Sequence, residues 1–301
     1  MQIFSGSSNS GLAKQVAELM GSKLGEVEIS RFANGEIRVW VKEKKLGKQV
    51  VVVQSLSSPT NEHVIEFCLL CDALHREGAR EITAVIPWMG YSKQDKVFRP
   101  GEPLSAKVMA QILQTAKLEK IITFDLHNRA TLGFFEVPIV ELSAKPLLID
   151  YFRKKVGEQT VVVAPDAGSA KASTSFAQSL GLSVVYVDKR RDLESGKVTI
   201  MGMSQGVAGR KVILVDDNVF TGATLLSTAK ELKQAGAKSI RVGLTHHLYV
   251  PGVQEKLEQS EINEIVVTDT IGGKDKSKVK SQKSKLRVLS VAPLIVDELA
   301  K

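Results

Sequence analysis

The sequence is short of cysteine, of aromatic rings and of long apolar runs. Its only two cysteines, Cys68 and Cys71, stand together in FCLLC, so no second pair exists to close a tetrahedral metal site, and a disulfide framework is excluded in a chain of 301 residues. The three-residue spacing sets both thiols on one face of an apolar helix, which predicts buried core thiols rather than a redox pair. No stretch approaches the roughly 18 apolar residues of a membrane span. The opening MQIFSGSSNSG has neither the basic start nor the apolar core of a signal peptide. A cytoplasmic protein with no membrane partner is the expectation. A Walker A string is also missing: GSSNSGLAK, from Gly6 to Lys14, lacks the adjacent Gly-Lys-Ser/Thr, so any nucleotide must be held by another device.

What the chain does have is an excess of positive charge, 41 basic against 33 acidic residues, or +8. That balance can mark a polyanion partner, but it is local. The stretch from Lys274 to Arg287 holds seven basic residues and one acid, Asp275, and so carries +6 of the total. It follows Gly272 and Gly273 and contains no aromatic residue, so it reads as a solvated loop between two strands and not as a nucleic-acid surface with stacking rings. No nucleic-acid partner is expected.

At about 150 residues per domain the length predicts two domains. Short β-branched runs alternate with segments of helical period, the pattern of an α/β protein with parallel strands and crossover helices. In the first half the strand-like runs are Val50 to Gln54, Ile82 to Pro87, Ile121 to Asp125 and Ile139 to Leu142, with helices near Asn61 to Glu77 and Pro103 to Thr115. In the second they are Thr160 to Ala164, Val184 to Asp188, Val212 to Val215, Ile240 to Thr245 and Ile265 to Thr268, with helices near Ala170 to Leu180, Ala223 to Gln234 and Pro251 to Leu257. A boundary near residues 143 and 144 divides the chain into domains 1–143 and 144–287, and the last stretch, 288–301, reads as a strand and short helix able to pack back on either half.

The stretch KVILVDDNVFTGATLLSTAKEL, Lys211 to Leu232, carries the most chemistry. A buried apolar strand is followed at its carboxyl end by two carboxylates, Asp216 and Asp217, and then by Thr221, Gly222, Ala223 and Thr224 leading into a helix. Open parallel sheets bind ligands at that end. A small-residue turn at a helix N-terminus offers free N–H groups and a favourable dipole to a phosphate. The paired acids suit neighbouring sugar hydroxyls, or a metal attached to the sugar. The stretch asks for a phosphorylated sugar.

VDDNVFTGAT resembles the phosphoribosyl-binding motif shared by type I phosphoribosyltransferases and ribose-phosphate pyrophosphokinases (PRPP synthetases). RFANGEIRV, IPWMGYSKQDK, GEPLSAK, TFDLHN, APDAGS, VDKRR and VLSVAPL resemble segments of the pyrophosphokinase family, in the family's order and across nearly the whole chain. The resemblance implies two tandem type I phosphoribosyltransferase-like domains, each a mainly parallel sheet flanked by helices. It also implies an ATP-dependent transfer of pyrophosphate to ribose 5-phosphate, and a homo-oligomer, commonly a hexamer. Residue by residue, it implies that the loop holding Phe32, Asn34, Gly35 and Glu36 meets adenine, that Lys93 and Gln94 contact ATP, and that part of this site forms across a subunit boundary. His127 and Asp166 would help bind Mg2+. Lys189 and Arg191, directly after a strand, would belong to a catalytic loop closing on the phosphates. Arg191, Asp216, Asp217, Phe220, Thr221, Gly222, Ala223 and Thr224 would hold ribose 5-phosphate.

Several residues depart from the family pattern: Asn34 where Asp is frequent, Lys93 for Arg, Ala167 and Ser169 in the Asp166 loop, and Phe220 where a small or acidic residue is common. Asn34 and Lys93 keep a hydrogen-bond acceptor and a cation but lose strength and the bidentate fork. Phe220 adds bulk without a hydrogen bond beside the sugar-phosphate turn. Two other functions fit part of the pattern: a regulatory subunit that has lost chemistry, and a phosphoribosyltransferase that consumes PRPP. The retention of Lys189, Arg191, Asp216, Asp217, Thr221 and Thr224 together argues against the first. The second leaves the first half of the chain without a role.

Overall fold

Strands such as TVVVA, Thr160–Ala164, are buried at every position, as they must be in a parallel sheet covered on both faces. The chain, seen in a computed structural model, is described over residues 1–191, 198–273 and 284–301, with the side chains of residues 189–191 and 198–201 outside that description. It divides into two units. The first comprises Met1–Ser143 with Asp269–Gly273 and Ser290–Lys301, and the second Ala144–Thr268 with Lys274–Leu289.

The first unit is built on a five-stranded parallel sheet in the order β1 (Gln2–Ser5), β4 (Gln49–Val53), β5 (Glu81–Ile86), β6 (Lys120–Phe124) and β7 (Ile139–Leu142). Its helices are α1 (Ser10–Leu19), α2 (Thr60–Arg76) and α3 (Ser105–Gln114). An antiparallel hairpin, β2 (Val27–Arg31) and β3 (Ile37–Val41), stands apart from the sheet. The core joins Val50, Val52, Ile82, Ile86 and Ile121 of the strands to Phe67, Leu70, Cys71 and Leu74 of α2. Cys71 is fully buried and Cys68 half-buried, both are free thiols, and burial pushes both thiols upward. Burial in core packing explains them.

The second unit holds a seven-stranded sheet in the order β10 (Val198–Met203), β9 (Ser183–Arg191), β8 (Thr160–Ala164), β11 (Lys211–Val219), β12 (Ser239–His247), β13 (Glu264–Thr268) and β14 (Leu286–Leu289). Only the β9–β10 pair is antiparallel. Side chains alternate between two apolar layers. Val161, Val163, Val212, Leu214, Ile265 and Val267 face one core with Ala229 and Leu232, while Val162, Ile213 and Val266 face the other with Leu148, Phe152 and Phe176. The covering helices are α4 (Lys145–Arg153), α5 (Ala170–Leu180), α6 (Ala223–Gln234) and α7 (Val253–Gln259), and α8 (Ala292–Leu299) belongs to the first unit.

Three strands run beyond their apolar stretches. β9 continues past Asp188 through Lys189, Arg190 and Arg191, so the cations are part of a hairpin with β10 and not of a loop that starts after Asp188. β11 continues past Val215 to Val219, and β12 past Thr245 to His247, because each finds a partner in the other: Asp216 pairs Leu244, Asn218 pairs His246 and Val219 pairs His247. Backbone pairing carries these strands through polar residues that the apolar pattern marks as their ends. Lys274 to Lys283 of the basic run lie outside the described residues.

Candidate active site

In the second unit, the strand extension places Asp216 and Asp217 inside β11, directly before the buried Asn218 and Val219. Consecutive strand residues point to opposite faces, yet the two acids remain coupled: the Asp217 N–H donates to Asp216 Oδ1 at 2.8 Å. Asp216 is exposed, yet protein lies close around its carboxylate. Loss of water around the carboxylate, then the charge of Asp217, push its carboxyl up to about 7, and the charge of Asp166 acts in the same direction. An upward shift is what clustered carboxylates require.

Asp166 follows β8 in a turn closed by its own side chain, which accepts the Ser169 N–H at 2.9 Å while the Ser169 hydroxyl donates to the Asp166 carbonyl at 2.9 Å. Ser169 thus acts as a turn lock, a job that a glycine could not do. Beside this turn, between it and the β9–β10 hairpin, is a cavity of about 630 Å3 lined by Asp166, Tyr186, Asp188, Met203 and Ser204 among others.

After β11 the chain makes the turn that the sequence leads one to expect as a phosphate site, hereafter the phosphate turn. Phe220 is 39 % exposed, Thr221, Ala223 and Thr224 are exposed and Gly222 is buried. Gly222 caps α6 at φ 71°, a backbone angle that L side chains resist. The Thr221 hydroxyl accepts only a long contact, 3.4 Å, from the Ala223 N–H. The first-turn N–H groups of α6 point out of the helix without intrahelical partners, as they do at every helix start. The turn therefore combines hydroxyls, N–H donors and a positive dipole end next to an acidic cluster.

The sequence-predicted nucleotide residues lie on two separate loops of the first unit. Phe32 to Glu36 form the tip of the β2–β3 hairpin: the Gly35 N–H donates to the Phe32 carbonyl at 2.9 Å, and Asn34 Oδ1 accepts the Glu36 N–H at 3.2 Å. Phe32 is 52 % exposed, with the Arg38 guanidinium 5.9 Å from its ring centre. An exposed ring held by a tight turn is suited to stacking on a planar group. Lys93 is half-buried and Gln94 exposed, with Gln94 Oε1 accepting the Ser105 hydroxyl at 2.6 Å and so facing the start of α3. His127, exposed, follows β6 in the first unit, beside the Asn128–Asp95 hydrogen bond. The backbones of Lys189 and Arg191 pair with Ile200 and Val198 in the hairpin, and their side chains lie outside the described residues, as do residues 192–197.

Comparison with known proteins bears on this arrangement over the full length. Residues 1–116 match the N-terminal domain of ribose phosphate pyrophosphokinase, and residues 134–280 match the phosphoribosyl transferase domain. The chain is 38 % identical over 301 residues to a ribose-phosphate pyrophosphokinase of Bacillus caldolyticus, covering all of this chain and 94 % of that one. The chain belongs to the ribose-phosphate pyrophosphokinase family. A second relative of the same name, from Fusobacterium nucleatum, is 37 % identical, with 97 % of this chain and 91 % of its own length matched. The crystal structure of phosphoribosylpyrophosphate synthetase from Mycobacterium smegmatis superposes with a TM-score of 0.87 at 32 % identity, covering 99 % of this chain and 97 % of that one. The family's two-domain α/β fold is therefore this chain's fold, and the chain is an enzyme of that family. Among the described residues no helix is long and apolar enough to cross a membrane.

Proposed function

We propose that this pyrophosphokinase transfers the pyrophosphoryl group of ATP to the 1-hydroxyl of ribose 5-phosphate, giving PRPP and AMP. The observation that carries the reading is the meeting, at the carboxyl ends of β8 and β11, of an acidic cluster with the phosphate turn, in a chain related to ribose-phosphate pyrophosphokinases along its whole length. Thr221 to Thr224 bind the 5-phosphate through N–H groups and hydroxyls. Asp216 and Asp217 accept hydrogen bonds from the ribose hydroxyls. The ribose 1-hydroxyl oxygen forms a bond to the β-phosphorus and loses its proton to solvent, the bond from that phosphorus to the α,β-bridging oxygen breaks, and AMP leaves with that oxygen. Lys189 and Arg191 meet the charge that gathers there, and Phe32, Asn34, Gly35, Glu36, Lys93 and Gln94 hold the nucleotide.

The donor set fits Mg2+. Among the described residues no three metal-ligating side chains gather into a ready cage. Two adjacent carboxylates whose mutual repulsion holds a proton near neutral pH are eased by a divalent cation, and Mg2+ is ordinarily held by one or two carboxylates together with substrate oxygens. Asp166 would share in holding it, and the ion would supply neutralisation of the phosphate charge. A homo-oligomer, a hexamer by family analogy, would complete the nucleotide site, and the cytoplasm is the expected setting. Purified protein given ribose 5-phosphate, ATP and Mg2+ should produce AMP and PRPP in equal amounts, followed by anion-exchange chromatography. Binding of ATP without any turnover would sink the reading.

A further inference from the structure

The phosphate turn has a backing wall that the reaction itself does not call for. β12 ends at His247, and the next residues, 248–252, turn into α7. The Leu248 N–H donates to the Val219 carbonyl at 3.2 Å, directly at the root of the turn. A Cβ at Gly222 would lie 3.6 Å from Val253 Cγ1 of α7 and 3.7 Å from Val219 Cγ2, so α7 packs against the turn from behind. Any displacement of residues 248–253 is thus passed to Val219 and Gly222.

His247 fixes these residues. It is fully buried, and its Nδ1 accepts the Tyr249 N–H at 2.9 Å. Tyr249 has φ 50°, a left-handed backbone angle unfavourable for an aromatic residue, and its ring stacks on the imidazole at 4.2 Å between centres and 24° between planes. Since Nδ1 accepts, the ring's proton is on Nε2. That atom makes no close hydrogen bond, nor does the buried Oε1 of Gln254 on α7, the polar side chain that bears on the ring. Burial drives the imidazole pKa down to about 4, so the ring stays neutral and in one tautomer across the working range.

We infer that His247 is a positioning residue for the sugar-phosphate turn: by holding Tyr249 in its left-handed conformation, it sets Leu248 and Val253 against Val219 and Gly222, and so sets the affinity for ribose 5-phosphate. The inference rests on the functional reading above. Removing the acceptor takes away the hydrogen bond that holds the half-buried Tyr249 N–H and loosens the turn, which should show as about a tenfold loss of affinity.

The test compares H247L, H247N and H247Q in the full chain. Asn puts an acceptor near the Nδ1 position, whereas Gln puts it near Nε2 and Leu has none. H247L should raise the KM for ribose 5-phosphate about tenfold and leave that for ATP within about twofold, while H247N stays close to wild type. Hydrogen exchange at Leu248 should quicken in H247L and not in H247N. Should H247L fail to fold, H247Q against H247N makes the same comparison. Equal KM values for ribose 5-phosphate in all variants, or an equal rise for both substrates, overturn the inference alone. Wild-type protein inert toward ribose 5-phosphate overturns the functional reading, and the inference with it.

Discussion

Asp216 is the residue on which the electrostatics of the site concentrate. Its carboxyl, ordinarily near 3.8, is held near 7 by desolvation and by Asp217, so in the folded state it keeps a proton that the unfolded chain gives up between those two values. The folded state thus binds more protons in that window, and stability falls as pH rises through it. D216N, which carries no charge at any pH, should melt at the same temperature as wild type near pH 4 and above it at pH 8, by calorimetry across the series. A cation docking there lowers the carboxyl again. Binding of Mg2+ with ribose 5-phosphate near pH 6.5 should therefore release protons, seen as a dependence of the calorimetric binding heat on the buffer's ionisation enthalpy. Lys189→Ala should lower kcat by on the order of 10²- to 10³-fold with little change in melting temperature, since in the proposed reaction its charge meets the reacting phosphates.

At the scale of elements, the phosphate turn and the hairpin tip make opposite demands on stability. Gly222 sits at φ 71° with room for a methyl group around it. Gly222→Ala should cost about 1 kcal/mol through backbone angle alone, measured by urea unfolding, and should weaken ribose 5-phosphate binding. Phe32 is exposed and, among the described residues, stands outside the core cluster, so F32A should leave the unfolding midpoint unchanged while raising the KM for ATP several-fold.

These same elements explain what was legible in the sequence. α5 and α6 coincide with Ala170 to Leu180 and Ala223 to Gln234, because apolar period and a small-residue start agree there. The buried strands were legible from β-branched runs. The ends of β9, β11 and β12 were not, since their last residues are polar and owe their strand form to a neighbour distant in sequence. The β2–β3 hairpin and β10 carry apolar residues, in VEISR, IRVWV and VTIMGM, but without the continuous β-branched run of the buried strands. For the same reason the motif residues could be named but not the wall behind them: His247 and Gln254 carry no motif, and only the fold brings them to the phosphate turn.

At the scale of the whole molecule, the chain leaves its first unit at Ala144, returns for Asp269–Gly273, leaves again for Lys274–Leu289 and comes back for Ser290–Lys301. The returning pieces are anchored: Asn9 Nδ2 donates to the Asp269 carbonyl at 2.7 Å, Ala292 and Ile295 are fully buried, and Glu298 pairs with Lys120 of β6 at 2.5 Å and with Lys301 at 2.7 Å. The hydrogen bond from Lys120, and then that from Lys301, hold the Glu298 carboxyl below its ordinary value. The stabilisation is thus present above about pH 4.5 and lost as pH falls. E298Q should lower the melting temperature at pH 7 and have less effect at pH 3.5, by calorimetry. The return of residues 290–301 also orders events in time. On a ribosome the first unit is begun earliest and finished latest, since the helix that closes it is made only after the entire second unit has been made. A chain cut short before residue 290 and released should hold a second sheet able to form while its earliest-made sheet still shows an open apolar flank to chaperones.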